Sequence, residues 1–197
     1  MIEVEKKFAP TKKQLDKLLL GAKFLKEITF KDTYFDKKDF SLILADKWLR
    51  LRDNRLELKL PLGPIGHTKN SLDLYDEITD EMKIRQILNL PKVRNITKAL
   101  GNGGYHIIAS FITTRRKYKK GGFNIDVDQI DFGYNLVEIE TLITNDSKIK
   151  IAGKRIINFA KENGLEIEYV RGKFVEYIWL HNKKLYKAME SVGFFPK

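Results

Sequence analysis

The sequence predicts an α+β fold in which eight antiparallel strands form a sheet that closes into a barrel. Three observations carry that expectation. Eight stretches of the chain show period-two alternation and β-branched or aromatic side chains, with turn signals such as Asp53-Asn54 and Gly121-Gly122 between several of them. Helical periodicity is confined to a few segments. The polar face of strand after strand also carries charges that a sheet curled on itself would turn inward.

Residues two apart on a strand share a face, so parity sorts each strand into two sets. The first, 2–8, sets Glu3, Glu5 and Lys7 against Ile2, Val4, Lys6 and Phe8. Thr11 then caps a helix reaching about residue 20, with Leu15, Leu18 and Leu19 on one side. Strands follow at 24–35, 48–52 and 55–60. The third gathers Trp48, Arg50 and Arg52 opposite Leu49 and Leu51, and the fourth sets Glu57 and Lys59 against Leu56, Leu58 and Leu60. Pro61, Gly63, Pro64 and Gly66 mark a loop running to Asn70, before a fifth strand at 72–78. Thr79 is expected to cap a helix ending near residue 89. A short third helix is expected over 91–100, stopped by Gly101. The last strands are 107–118, 123–128 and 136–143. Within them Asp126 and Asp128 oppose Ile125 and Val127, and Glu138 and Glu140 oppose Val137, Ile139 and Thr141. Two longer helices, 148–163 and 173–190, complete the chain. No repeat or dividing linker interrupts it, so 1–197 reads as one domain.

Composition narrows the chemistry. The chain has no cysteine, which excludes disulfides, thiolate zinc sites and a cysteine nucleophile. Its longest apolar runs, such as 41–45, are far shorter than a membrane span, and Glu3 and Glu5 stand where a signal peptide would be basic. A cytoplasmic protein without a membrane partner is expected. The 37 Lys and Arg against 26 Asp and Glu leave a net charge of +11, which raises the question of nucleic acid. The one dense basic run, Arg115-Arg-Lys-Tyr-Lys-Lys120, is too short to carry that reading, and nucleic acid is not expected as a partner. His67, His106 and His181 lack ligand spacing, and Gly101-Asn-Gly-Gly104 lacks the Lys-Ser/Thr of a phosphate-binding loop.

Two geometries satisfy the parity pattern. The charged faces either look out to water, or line the interior of a closed sheet whose apolar faces are covered by helices. Carboxylate doublets on three strands and basic doublets on others would repel if they only stood side by side in water. They make sense together if the carboxylates hold divalent cations and the basic residues hold a polyphosphate, since Mg²⁺ and Mn²⁺ favour hard oxygen ligands and Arg and Lys grip phosphate.

The opening Met1-Ile-Glu-Val-Glu-Lys-Lys-Phe8 contains Glu-x-Glu-x-Lys. It is joined in order by Trp48-Leu-Arg-Leu-Arg52, Glu57-Leu-Lys59, Tyr75-Asp-Glu-Ile78, Phe111-Ile-Thr-Thr-Arg115, Asp126-Val-Asp128 and Val137-Glu-Ile-Glu140. Together these resemble the signature of the CYTH superfamily, the triphosphate tunnel metalloenzymes. Phe30-Lys-Asp-Thr-Tyr-Phe-Asp36, Ala45-Asp-Lys-Trp-Leu-Arg50 and Asp131-Phe-Gly-Tyr134 are most similar to its animal-type thiamine triphosphatase branch. The resemblance implies an eight-stranded tunnel with a charged lumen. It implies metal ligation by Glu3, Glu5, Asp126, Glu138 and Glu140, with Asp128 and Glu77 as further acids. It implies triphosphate binding by Lys7, Arg50, Arg52, Lys59, Arg115 and Lys173.

The implied reaction is Mg²⁺-dependent (or Mn²⁺-dependent) hydrolysis of thiamine triphosphate by a monomer, with Glu138 or Glu140 orienting or deprotonating the attacking water. Parity leaves Arg115 or Arg116 as the inward residue, and the motif selects Arg115. Trp48 either stacks on an aromatic cation or packs at the barrel rim. The alternatives are an inorganic triphosphatase, an ATP cyclase on the same fold, and a non-catalytic binder of polyphosphate or RNA 5′ ends. With Glu57 included, the proposed lumen holds six basic and eight acidic side chains. The basic excess therefore lies on the exterior, where it favours solubility, and an acidic lumen requires the metal to admit a polyphosphate.

Overall fold

The computed structural model describes residues 2–63, 65–66 and 72–196, so Met1, Pro64, His67 and Asn70 lie outside the described residues. The strands are β1 (Ile2–Phe8), β2 (Lys23–Asp36), β3 (Trp48–Arg52), β4 (Arg55–Pro61), β5 (Asp73–Ile78), β6 (His106–Lys120), β7 (Phe123–Ile130) and β8 (Asn135–Ile143). They form a closed barrel in the order β1-β5-β4-β3-β2-β6-β7-β8. The first strand closes it, pairing antiparallel with β5 on one side and β8 on the other. Closure removes the sheet edges that would otherwise be open to other chains.

Register decides what the wall presents. Directly opposed residues point the same way, and the pairs Lys7 with Glu138, Asp32 with Arg52, Arg50 with Glu57, Lys59 with Glu77 and Arg115 with Asp128 all face inward. Opposed charges therefore alternate around the lumen. The outward faces of β1, β7 and β8 and of β3 and β4 are apolar and covered by helices, whereas β2 and β6 turn Thr29, Lys31, Ile112 and Arg116 to solvent. Helices α1 (Lys12–Leu19) and α4 (Ile149–Glu162) cover β1, β7 and β8, burying Val4, Phe8, Ile125 and Ile139 against Leu18, Ile156 and Phe159. Helices α2 (Glu81–Ile87) and α3 (Ile96–Asn102) cover β3 and β4, where Leu49, Leu51, Leu56 and Leu58 meet Ile84 and Leu100. Helices α5 (Lys173–His181) and α6 (Lys183–Ser191) plug one end of the barrel. There Phe174, Val175 and Met189 pack on Tyr34, Phe111 and Leu136.

Thr11 caps α1 as expected, in a reciprocal capping box with Gln14. Three helix expectations are corrected. The cap of α2 is Asp80 rather than Thr79: its carboxylate accepts from the N–H groups of Met82 and Lys83. The third helix starts at Ile96 because Asn95 accepts from the Lys98 N–H, leaving 91–94 irregular. The helix expected over 173–190 is two helices, broken at Asn182 (φ −141°, ψ 74°), whose side chain accepts from the Leu185 N–H and so starts α6. A short 3₁₀ turn, Ile43–Ala45, was not foreseen from the sequence pattern. Among the described residues, no helix is long and apolar enough to cross a membrane.

Candidate active site

The lumen opens into a cavity of about 160 Å³ between the charged wall and the first turn of α5. All the basic residues singled out above reach this interior, and each is already held by an acid. Arg115 is the most heavily engaged. Its Nε and Nη2 donate to the two oxygens of Asp128 at 2.7 Å each, and Nη1 and Nη2 donate to Asp126 and Glu138 at 2.5 Å. Arg115 is buried and Arg116 exposed, which answers the choice that parity left open. Lys173, first residue of α5, reaches in to Asp128 at 2.5 Å. Gly172 precedes it, and a Cβ there would sit 3.1 Å from the stem of Lys7, so a glycine leaves room for that lysine.

On the opposite wall Arg50 donates to Glu57 at 2.8 Å and to Glu77 at 3.4 Å, while Arg52 makes a two-bond fork with Asp32. Lys59 donates to Glu3 at 2.8 Å, and Lys7 bridges Glu5 and Asp73 at 2.5 Å each. Phe30 lies beneath this array, with the Arg52 guanidinium 4.1 Å from its ring centre.

The acids divide into groups that the sequence did not separate. Carboxylate oxygens of Glu3, Glu5 and Glu140 come within 4.8 Å of one another. Asp126, Asp128 and Glu138 gather instead around Arg115, and Glu77 stands across the lumen beside Arg50. Burial drives the Glu140 carboxyl up to about 8, reinforced by its hydrogen bond to Glu3 and by that carboxylate's charge. Burial and the charge of Glu138 raise Glu5 to about 7 against the pull of Lys7. Glu3 is half-buried, but Lys59 and the shared bond with Glu140 outweigh the desolvation and hold it at about 2. Burial opposes ionisation of Glu138, yet Lys173 and Arg115 overcome it and hold that carboxyl well below its ordinary range.

This donor set fits a hard divalent cation. Three converging carboxylates, two of them with proton affinity raised by burial and by one another's charge, are the oxygen-only environment such ions take. In addition, Asp126 Oδ1 is buried with no hydrogen-bond partner, an acceptor lacking a donor or a cation.

Trp48 lines the cavity. Its indole also meets Phe174 and Phe194 edge-on, with ring centres 5.2 and 5.7 Å away. Both sequence-level readings of this residue therefore have a structural counterpart. Asp32, Tyr34, Asp73 and Tyr75 also belong to the inner wall and were missed. Asp32 and Tyr34 share the parity of Phe30, and Asp73 and Tyr75 that of Glu77. Splitting those two strands by face would have found all four.

The CYTH domain model matches residues 1–170. The chain is 32% identical over 220 residues to the thiamine-triphosphatase of Homo sapiens, across 98% of this chain and 91% of that protein. It is 29% identical over 211 residues to the thiamine-triphosphatase of Macaca fascicularis, with the same two coverages. A solved structure from Pyrococcus horikoshii shares the fold with a TM-score of 0.65 at 20% identity, over 90% of this chain and 98% of that one. A closed barrel whose inner wall alternates acid and base, matched to that domain over most of its length, places this chain in the CYTH-domain family.

Proposed function

We propose that this chain is a metal-dependent triphosphatase whose substrate is thiamine triphosphate. The observation that carries the reading is the arrangement of the lumen. Six cations converge on a cavity that has Glu3 and Glu5 of the carboxylate triad on its wall and aromatic rings at the α5 end. The likeness to animal thiamine-triphosphatases over nearly the whole chain supports the choice of substrate.

Glu3, Glu5 and Glu140 would hold the metal, with Asp126 Oδ1 as a further acceptor. Bound there, Mg²⁺ or Mn²⁺ supplies Lewis acidity toward the phosphate oxygens and neutralises their charge. The chain's own residues do the rest. Lys7, Arg50, Arg52, Lys59, Arg115 and Lys173 exchange part of their carboxylate contacts for phosphate oxygens and spread the charge that builds on the leaving diphosphate. Their present carboxylate partners keep these side chains extended into the lumen, so little reorganisation accompanies binding. Glu138, held ionised by Lys173 and Arg115, orients the attacking water as a hydrogen-bond acceptor. Glu140 serves as a metal ligand, and its raised proton affinity belongs to the metal-free site. Trp48 offers its ring to the thiazolium beyond the phosphates.

A second reading, an inorganic triphosphatase, is favoured by the edge-on packing of Trp48 against Phe174 and Phe194, which a bare polyphosphate would leave undisturbed. Phosphate release from thiamine triphosphate, inorganic triphosphate and ATP, with Mg²⁺ or with EDTA, separates the two. Metal-dependent release that is fastest from the thiamine compound is the expected result. Preference for inorganic triphosphate would select the second reading, and binding without release would remove both.

A further inference from the structure

The stretch Ala45-Asp-Lys-Trp-Leu-Arg50 sends Trp48 and Arg50 into the lumen, and those roles leave Asp46 unexplained. It follows the 3₁₀ turn Ile43–Ala45, adopts the left-handed backbone conformation (φ 56°, ψ 29°), and is 6% exposed. Burying a carboxylate at a turn, away from the strand lattice, is costly unless donors reach its oxygens. Two donors reach one of them. Asp46 Oδ1 accepts from Trp48 Nε1 at 2.9 Å and from the Tyr75 hydroxyl at 2.8 Å.

The geometry of those two bonds is unusual in what it joins. Trp48 is on β3 and Tyr75 on β5, with β4 between them, so strand pairing alone does not fix one ring against the other. One oxygen does. Both rings line the cavity, at the end where Phe174 and Phe194 close it. An indole has a single polar atom, and a donor held at 2.9 Å leaves its ring little freedom to rotate. The phenol is held from its far end in the same way. Burial raises the Asp46 carboxyl to about 6, and the two hydrogen bonds work against that rise.

We propose that Asp46 is a positioning residue that sets the orientation of Trp48 and Tyr75, and thereby gives the cavity its preference for a triphosphate bearing an aromatic cation over bare triphosphate. The proposal rests on the thiamine triphosphate reading above. Asp46 does not touch the phosphates and takes no part in the displacement. It acts through the two rings, whose faces attract a cation only when presented squarely to it.

The test compares Asp46→Ala and Asp46→Asn with the wild type on thiamine triphosphate and inorganic triphosphate at saturating Mg²⁺. Asparagine accepts both hydrogen bonds through its amide oxygen and tolerates the left-handed backbone, whereas alanine does neither. Asp46→Ala should lower the ratio of kcat/KM for the thiamine compound over inorganic triphosphate about tenfold, chiefly through KM, the size expected for one lost cation–ring contact. Asp46→Asn should hold that ratio within about twofold of wild type, because its hydrogen-bond geometry is retained. In a Trp179→Phe background, the Trp48 fluorescence should shift to the red in Asp46→Ala and stay in place in Asp46→Asn. Should Asp46→Ala fail to fold by circular dichroism, Tyr75→Phe decides instead: the lost hydroxyl bond should lower the same ratio.

A wild-type preference that survives Asp46→Ala would overturn the role of Asp46 and leave the substrate reading standing. So would equal losses on both substrates, or an Asp46→Asn variant as impaired as Asp46→Ala. A wild type that treats the two substrates alike would overturn the substrate reading and this proposal together.

Discussion

Glu138 and Ile139 are neighbours on β8, both buried, and they answer to different physics. Ile139 faces outward into a cluster with Val4, Ile125 and Ile156, each 0% exposed. Glu138 faces inward onto Arg115 and Lys173. The outer set stabilises the fold by removing apolar surface from water, roughly 1.5–3 kcal/mol for each fully buried side chain. The inner set gains little net stability, because desolvating two charges offsets most of their attraction. The barrel is thus held by two helix-covered cores on its outside and a third that plugs one end. That frees its interior to carry charges whose value is chemical.

The largest break in this contrast comes from removing a cation that several acids share. Arg115→Ala leaves Asp126, Asp128 and Glu138 with far less countercharge. It should cost about 3–5 kcal/mol in urea unfolding and abolish hydrolysis, as expected when one member of a buried ion network is deleted. A variant as stable as wild type would mean that the inner lattice is not coupled.

The acid triad sharpens the contrast through pH. Glu5 and Glu140 are raised to about 7 and about 8 in the folded state, above the 4.5 of an ordinary glutamate. Between those values the native protein holds more protons than the unfolded chain. Metal-free stability, as far as these two groups decide it, is therefore greatest below pH 4.5 and falls as pH rises from there toward 8. A loss of several kcal/mol, up to about 6, between pH 5 and 8 in EDTA is expected from two such carboxyls. Mg²⁺ should remove most of that loss and release protons on binding, which calorimetry in buffers of different ionisation heat would measure. A stability profile insensitive to Mg²⁺ would argue against a metal at Glu3, Glu5 and Glu140.

The smallest effect lies on the outside. Thr11→Ala deletes the α1 cap and should cost about 1 kcal/mol in thermal or urea unfolding, with kcat and KM unchanged. A change in activity would show that the exterior is not independent of the lumen.

Parity made the two faces legible in sequence. Glu3, Glu5 and Lys7 against Val4 and Phe8, repeated along the chain, separates the charged face from the apolar one, and the mix of acids and bases on the charged face favours turning it inward. What sequence does not carry is register across strands. That is why the sequence does not separate Asp126, Asp128 and Glu138, which the pairing of β6, β7 and β8 gathers around Arg115, from the triad of Glu3, Glu5 and Glu140. Asp46 escaped for a related reason, since its partners Trp48 and Tyr75 converge only once three strands are assembled. The break between α5 and α6 went unnoticed because the apolar period continues from Ile178 to Leu185, and only the cap at Asn182 marks it.

The most direct test of the division between faces assays two neighbouring substitutions side by side, Glu138→Gln and Ile139→Ala. Mg²⁺-dependent phosphate release from thiamine triphosphate and thermal unfolding are read on the same preparations. Glu138→Gln should lose about 100-fold or more in kcat, the scale of one preorganised electrostatic contact. Ile139→Ala should keep kcat/KM while unfolding several degrees earlier, at a cost of about 2–5 kcal/mol for a cavity in the outer core. Loss of activity in Ile139→Ala to the same degree, or a wild-type rate in Glu138→Gln, would contradict the account.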